Sequence, residues 1–378
     1  MRRTAACILI IIFLPLLCGC GSIYSNYREI ENLLVVRAVG FDREDGGTRF
    51  SLASSAKDDG APIRMATGGS SLTNSMERIR NYSSHEDIFY PHVEQILLGE
   101  SAARVGVEDY LSFFCRSQQL RIDIPLYIVK GGTAEQAILD TGNEERGISE
   151  ILRTEQARLA VSGDSRTYST ADIYIALARS GAALTCAIKC EQSAEAAKDG
   201  DEMLTAIADG YAVIRDGKLC GYIGQELSPA VGIVSGSMGI SDMLVSGPDG
   251  EAVTLELNHS RCKITPVWDG GRLLGFDFRI EMRASINESE RPLDLSDPRQ
   301  NAELCEVLNG QVTASVQELL ELSQAMRADF LGLNYIAELH SPREYAALSA
   351  EFPSLLPELE MRVSVTSRIS HTNNISNG

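Results

Sequence analysis

The sequence predicts a multi-domain protein of mixed α/β and α+β class, with mixed sheets, packed helices and a C-terminal antiparallel sheet covered by a long amphipathic helix. Through residues 33–190, short apolar runs alternate with helical segments, which is typical of an α/β layer. From residue 211 to 286, strand segments follow one another across turn residues. An apolar stripe of helical period then runs through Asp297–Ala328, and its simplest role is to cover those strands.

The first half of the chain places apolar, branched runs of strand length between segments of helical period. Strands are predicted at Leu33–Phe41, Thr48–Lys57, His92–Leu98, Asp123–Lys130 and Ala182–Cys190. Helices are predicted at Ser70–Tyr82, Ser101–Arg116, Thr133–Asp140, Gly147–Gly163 and from Ser169 onward. We expect a break near Gly106, an N-cap at Thr133 and a capping box that begins at Ser169.

The second half contains a strong hairpin signal, because Asp216-Gly217 separates two apolar runs within Tyr211–Tyr222. Further strands are predicted at Val253–Asn258, Arg261–Val267, Arg272–Ile286 and Glu360–Ser370. Short helices are predicted at Gln225–Val234, Asn334–Glu338 and Pro342–Leu348.

Residues alternate in character along Arg272–Ile286, which predicts one dry and one wet face. The apolar set is Phe276, Phe278, Ile280 and Met282, and the charged set is Asp277, Arg279, Glu281 and Arg283. We expect the long helix to cover the dry face with its stripe of Leu304, Leu308, Val312, Val316, Leu319 and Met326.

These elements suggest a division of the chain into successive parts. Residues 1–19 have the form of a signal peptide, and residues 20–192 form an N-terminal α/β region of one or two subdomains. Residues 201–370 form a C-terminal α+β domain, and 371–378 are a polar tail. The small, polar and charged segment Ser193–Gly200 is the expected connection between the two large parts.

The amino terminus has the pattern of an export signal. Arg2 and Arg3 precede the apolar run Ile8–Leu17, whose ten residues are too few to span a bilayer. Leu17-Cys18-Gly19-Cys20 then resembles the lipobox of bacterial lipoproteins. That resemblance implies S-diacylglycerol on Cys20, cleavage before it and acylation of the new amino group by a fatty acid such as palmitate. The alternatives are a secreted protein without lipid and an uncleaved membrane anchor.

The charge of the chain restricts its partners. Its formal net charge is −18, which disfavours nucleic acid as a ligand because nucleic acid binding requires clustered Lys and Arg. Such a chain is not expected to adhere to an anionic bilayer by overall charge, so a lipid on Cys20 would have to provide the attachment.

Catalytic and metal-binding patterns are weak. The five histidines form no HExxH or paired-ligand spacing, and the chain contains no P-loop or dinucleotide fingerprint. Gly163-Asp164-Ser165 and Gly236-Ser237-Met238-Gly239 only partly match hydrolase motifs. We therefore predict no enzyme activity, no cofactor and no metal. The six cysteines outside the signal are expected to be buried thiols, with one or more disulfides as the alternative.

Several motifs follow the lipobox in a fixed order. They are Tyr27–Leu33 leading to Val39-Gly40-Phe41-Asp42, His92–Glu100 followed by Gly106–Leu111, the hairpin Ala212–Gly221, and Ala328–Leu333. In this order they resemble the Ger(x)C family of spore-germination lipoproteins over nearly the whole mature chain. Two departures indicate a divergent member: the aromatic after the lipid-bearing cysteine is displaced to Tyr27, and the single tryptophan is Trp268.

The resemblance implies a non-enzymatic, lipid-anchored C subunit of a nutrient germinant receptor. Such a subunit would lie on the outer face of the inner spore membrane beside the integral-membrane subunits A and B, and would act in receptor assembly and signalling. The candidate contact surfaces are the end of the His92–Glu100 strand and the Asp329–Leu333 loop, although both are also expected to be packing features. The alternative is a lipid-anchored solute-binding protein of a transporter, which predicts two similar lobes. A membrane-tethered hydrolase is a more distant alternative.

Overall fold

The chain forms two β-sheets with helices packed around them. The structure is a computed structural model, and it describes residues 33–44, 46–54, 61–83, 87–117, 119–143, 145–163, 165–193, 203–247, 250–291, 293, 295 and 297–370. Mixed sheets with packed helices confirm the predicted fold class.

The strands and helices of the first half agree with most of the predicted ones. The strands are β1 (Leu33–Glu44), β2 (Gly47–Ser54), β3 (Arg64–Gly69), β4 (Asp87–Phe89), β5 (Gln95–Gly99), β6 (Leu126–Val129) and β7 (Ala182–Gln192). The helices are α1 (Leu72–Arg80), α2 (Glu100–Arg116), α3 (Ala134–Asp140), α4 (Ile148–Leu159) and α5 (Thr170–Ser180). Gly106 interrupts α2 with non-helical dihedrals, Thr133 caps α3, and Ser169 with Asp172 forms the capping box of α5, as predicted.

The second half contains six more strands and five more helices among the described residues. The strands are β8 (Leu204–Arg215), β9 (Lys218–Ile223), β10 (Ser241–Ser246), β11 (Ala252–Asp269), β12 (Arg272–Ser289) and β13 (Glu360–Ser370). The helices are α6 (Ser228–Ser235), α7 (Pro298–Met326), α8 (Leu333–His340), α9 (Pro342–Leu348) and α10 (Phe352–Leu355).

The first sheet has nine strands in the order β3-β2-β1-β5-β6-β7-β8-β9, with β4 beside β1. Strands β1, β5, β6 and β7 run parallel, and the remaining long strands join antiparallel. Helices α1, α2 and α5 pack on one face, while α3 and α4 pack on the other. Because both faces are covered, its central strands are continuous apolar runs rather than alternating ones.

The hairpin of β8 and β9 extends the first sheet, although it follows the predicted connection at residues 193–200. Its turn has Asp216 at φ 50° and Gly217 at φ 71°, the geometry of the predicted two-residue hairpin. This sheet therefore contains residues from both sides of the predicted domain boundary, and the division of the chain at that point stays a prediction.

The second sheet has four strands in the order β10-β11-β12-β13. Its dry face is covered by α7, whose buried residues include the predicted stripe from Leu304 to Leu319. Met326, at the end of the stripe, is half-buried.

The prediction of a wholly antiparallel C-terminal sheet was wrong for its last strand. β13 pairs parallel with β12, because the chain returns through α7 and the short helices rather than through a hairpin. The two strands predicted at Val253–Asn258 and Arg261–Val267 are one strand, β11, since the residues between them form a bulge at Leu257/His259 and not a turn.

Candidate interaction site at the edge of the first sheet

The carboxyl ends of the parallel strands bring two of the sequence motifs together at one edge of the first sheet. Asp42, near the end of β1, is buried, and its two carboxylate oxygens accept hydrogen bonds from the backbone N–H groups of Ala134 and Glu135, each at 2.8 Å. Burial raises the pKa of Asp42, and these two hydrogen bonds oppose the rise. A Cβ at Gly99 would lie 1.8 Å from Asp42 Oδ1, so a glycine is required where β5 ends.

Glu100, the first residue of α2, collects donors from three directions. Its carboxylate accepts hydrogen bonds from the Gly131 N–H at 2.6 Å, from the Arg104 guanidinium at 2.6 and 2.9 Å, and from the Tyr222 hydroxyl at 2.9 Å. Burial alone would raise the pKa of Glu100, but the three donors outweigh it and the pKa is lowered. The carboxylate therefore stays charged and links β5, β6 and β9.

Two ion pairs complete this edge. Lys130 Nζ lies 2.6 Å from Asp209 Oδ2 and 5.1 Å from the centre of the Tyr222 ring. Arg49 and Glu135 form a bidentate pair with N–O distances of 2.5 and 2.6 Å. Because these charges have partners, the edge is suited to fixing strands and helices in place rather than to acid–base chemistry.

Lys130, Asp209 and Tyr222 are among the members of this edge that were not predicted. Lys130 is the last residue of the predicted strand Asp123–Lys130 and precedes Gly131-Gly132, and polar sites form at the carboxyl ends of parallel strands. The position of Lys130 at the end of this strand could therefore have predicted it as a member of the site. Asp209 and Tyr222 come from β8 and β9, which the sequence assigned to the other domain.

The first predicted contact surface, His92–Glu100, is mostly core. Val93 and the residues of β5 from Gln95 to Gly99 are buried, whereas His92 is exposed. Glu94 is half-buried and pairs with Arg37 at 2.6 Å. The exposed part of this segment is therefore small.

The second predicted contact surface, Asp329–Leu333, begins helix α8. The buried carboxylate of Asp329 accepts hydrogen bonds from the Leu333 N–H at 2.7 Å and the Asn334 N–H at 2.9 Å. Burial raises the pKa of Asp329 to about 6, against the lowering effect of the backbone N–H donors.

Helix α8 in turn contacts α5 of the first half. The Asn334 side chain donates to the Arg179 carbonyl at 2.7 Å, and the Arg179 guanidinium lies 4.7 Å from the centre of the Tyr335 ring. Arg215 adds a hydrogen bond to the Met326 carbonyl at 2.5 Å. Asp329 thus fixes the start of α8, whose next residues contact α5, while Phe330 and Leu331 stay half-buried.

The weak hydrolase motifs have structural roles. The buried Ser165 hydroxyl donates to the Gly210 carbonyl at 3.0 Å, and the Ser237 hydroxyl is 2.7 Å from that of Ser235. Asp164 lies outside the described residues. Across the part of the chain that the structure describes, no group of three or more His, Cys, Asp or Glu residues could hold a metal ion.

The six cysteines of the body are free thiols in the structure. Burial raises the pKa of Cys186 to about 12, the response of a thiol in an apolar environment. Cys115 is exposed, in contrast to the expectation that these thiols are buried, because it lies on the outer side of α2 near its C-terminal end.

The predicted lipidation site lies outside the described residues. This applies to Cys20 and to Leu17, Cys18 and Gly19 of the lipobox, as well as to the motif residues before Leu33. Among the helices in the described ranges, none is long and apolar enough to cross a membrane.

Comparison with known protein families gives two matches in chain order. A model described as the spore germination protein N-terminal domain matches residues 26–186. A second model, described as spore germination B3/GerAC-like, C-terminal, matches residues 209–373.

Similar proteins carry consistent names. Spore germination protein KC of Bacillus subtilis (strain 168) is 20% identical over 98% of this chain and 96% of its own length. Spore germination protein B3 of the same organism is 21% identical over 97% of this chain and 98% of its own length. The crystal structure of the GerBC protein covers 88% of this chain and 97% of its own, with a TM-score of 0.54 and 16% identity, and therefore shows a shared fold.

Proposed function

The chain belongs to the Ger(x)C family of spore germination proteins, and from this we propose that it is a non-enzymatic, lipid-anchored subunit of a nutrient germinant receptor. It acts in receptor assembly and signalling with the integral-membrane subunits A and B. Its lipid on Cys20 holds it on the outer face of the inner spore membrane.

The observation that supports this proposal is the coverage of one chain by both family models behind a lipobox. The two models together extend from residue 26 to 373, and Leu17–Cys20 ends five residues before the first of them. Their ranges also support the proposed division into residues 20–192 and 201–370. The partnered charges at the edge of the first sheet agree with a scaffold role.

The alternative of a solute-binding protein predicts two similar lobes. The described sheets differ in strand number, strand direction and helix coverage, so this alternative has no structural support.

Deletion of the gene tests the proposed role. In a spore-former that lacks paralogues of this chain, we expect deletion spores to keep their refractility after nutrient addition while the parent spores lose it. The deletion strain should recover when the parent gene is restored. Unchanged germination with every nutrient tested would contradict the role.

Substitution at Cys20 tests the anchor. Cys20→Ala removes the thiol that would carry the diacylglyceryl group, and we expect the protein to lose its acylation and leave the membrane fraction or be mislocalised. Cys18→Ala is the matched control, since it removes a cysteine two positions away and keeps a small residue in the lipobox. Equal membrane fractions for the two variants would contradict the proposed anchor.

A further inference from the structure

The outer face of the second sheet concentrates positive charge on an acidic chain. We define the basic face by the outward residues of three neighbouring strands. They are His259, Arg261, Lys263 and Thr265 of β11, Asp277, Arg279, Glu281 and Arg283 of β12, and Arg362, Ser364, Thr366 and Arg368 of β13. Six of these are Lys or Arg and two are carboxylates, whereas the chain as a whole carries −18.

The strand register places like charges side by side on this face. Lys263 is the cross-strand partner of Arg279, and Arg283 is the partner of Arg368. Like charges directly opposite destabilise a sheet. Arg362 is bridged to Asp277 at 2.8 Å, but Arg279, Arg283 and Arg368 have no carboxylate partner among the described residues. An external anion would relieve this repulsion.

One end of the basic face has a cavity of suitable chemistry. Its volume is about 270 Å³, and its lining includes His259, Arg283, Thr366 and Arg368, together with Glu281. Guanidinium groups present planar pairs of N–H donors that match phosphate oxygens. The cavity therefore fits a phosphate group better than an apolar ligand.

The basic face is free to meet a large, flat partner. Helix α7 covers the opposite face of the sheet, and the side chains of Arg261, Lys263, Arg279, Arg283, Arg362 and Arg368 are exposed. Twelve residues lie between Cys20 and Leu33, a stretch that spans at most about 45 Å when extended. A lipid on Cys20 would thus keep Leu33, and the folded chain that begins there, close to the bilayer.

We propose that the basic face docks on anionic phospholipid headgroups and so orients the tethered protein on the membrane. The rest of the acidic chain is repelled by such a surface, and electrostatics therefore selects this face. The face is broad and its cations are distributed over three strands, which suits a surface of many phosphates. The proposal rests on the membrane attachment proposed above, but not on a role in germination.

Vesicle binding by the mature chain without its lipid tests the proposal. Residues 20–378 carrying Cys20→Ser should sediment with vesicles of phosphatidylglycerol and phosphatidylcholine at low salt, and not with vesicles of phosphatidylcholine alone. High salt should release the protein, since exposed charges are then screened.

A pair of variants of equal net charge locates the binding surface. The face variant carries Arg279→Gln, Arg283→Gln and Arg368→Gln. Because each cation near the surface contributes to vesicle binding, we expect the affinity of this triple variant to fall at least about tenfold. The control variant carries Arg78→Gln, Arg153→Gln and Arg343→Gln at exposed positions outside the face. We expect the control variant to bind only slightly more weakly than the parent, because it loses the same number of positive charges but none from the face. Circular dichroism verifies that both variants are folded.

Two results would overturn the proposal. One is equal loss of binding in the face and control variants, which would mean that only total charge matters. The other is that the parent does not bind phosphatidylglycerol vesicles, which would favour an acidic protein as the partner of the basic face. Neither result would change the germination phenotype of a deletion strain, so the two proposals fail separately.

Discussion

The two sheets of this protein differ in burial: the first is buried on both faces and the second on only one. In β5 of the first sheet, the neighbours Leu97 and Leu98 point to opposite faces and both are fully buried. In β12 of the second sheet, Phe278 is fully buried while its neighbour Arg279 is exposed. The first sheet is therefore an internal framework, and the second presents one face to its surroundings.

Charge follows the same division. At the edge of the first sheet, Glu100, Lys130 and Glu135 each have a partner within hydrogen-bond distance. On the outer face of the second sheet, Arg279 and Arg283 have none among the described residues. Paired charges hold an architecture, whereas unpaired ones of the same sign are available to a ligand, and this difference directs the search for partners to the second sheet.

Truncating one side chain on each face of each sheet tests whether the first sheet is buried on both faces and the second on one. We expect Leu97→Ala and Leu98→Ala each to lower the free energy of unfolding by about 2–5 kcal/mol, because each leaves a cavity. Phe278→Ala should cost about 3–5 kcal/mol, but Arg279→Ala no more than about 0.5 kcal/mol. Urea unfolding followed by circular dichroism measures all four. A similar loss for Phe278→Ala and Arg279→Ala would contradict the one-sided second sheet.

The half-buried Trp268, the single tryptophan of the chain, provides a second, local probe of unfolding. It packs against the core shared by the second sheet and α7, so its fluorescence reports on that core. Separate fluorescence and circular dichroism transitions would show that the two sheets unfold independently.

Stability should depend on pH through Asp329, the buried cap of α8. Its pKa is raised from 3.8 to about 6, so between these values the folded protein holds a proton that the unfolded chain has released. Stability therefore falls as pH rises through this window, by on the order of 3 kcal/mol. We expect the difference in unfolding free energy between the parent and Asp329→Asn to show this fall. Glu338→Gln, at an exposed position of the same helix, is the control, and a pH-independent difference would refute the effect.

The hydroxyl of Tyr222 offers a smaller test of the paired edge. Tyr222→Phe removes the hydrogen bond to Glu100 and keeps the ring over Lys130, so we expect a loss of about 1 kcal/mol. Tyr174→Phe changes an exposed ring on α5 and should have no measurable effect. Equal denaturation midpoints for the two variants would mean that the edge network adds nothing.

The smallest expected effect is on the basic face itself. Arg283→Gln removes one half of the like-charge pair with Arg368, and we expect a change within about 0.5 kcal/mol, toward greater stability at low salt. The gain should disappear at high salt as the charges are screened. A clear loss of stability at low salt would indicate an unrecognised partner for Arg283.

The sequence predicted the features that depend on local periodicity and capping. The break at Gly106, the Ser169 capping box and the wet and dry sides of β12 follow from residue spacing alone. Strands β3, β4 and β10 were missed because they are short, and neighbouring strands rather than their own residues hold them in place.

Features that depend on long-range pairing could not be predicted. The turn at Asp216-Gly217 specifies a hairpin but not its neighbour, so its addition to β7 of the first sheet came only from the structure. The basic face likewise depends on a distant strand: β11 and β12 form a hairpin, but β13 reaches β12 only after α7. The alternation of charge in β12 was visible in the sequence, but its pairing with β13 was not.

The most direct test of the central claim is intact-mass spectrometry of the protein recovered from the membrane and soluble fractions of spores. A membrane-held germination subunit should begin at Cys20 and carry the mass of a diacylglyceryl group on that residue, with a further fatty acyl group where the amino terminus is also acylated. An unmodified amino terminus, on protein recovered from the soluble fraction, would contradict the account.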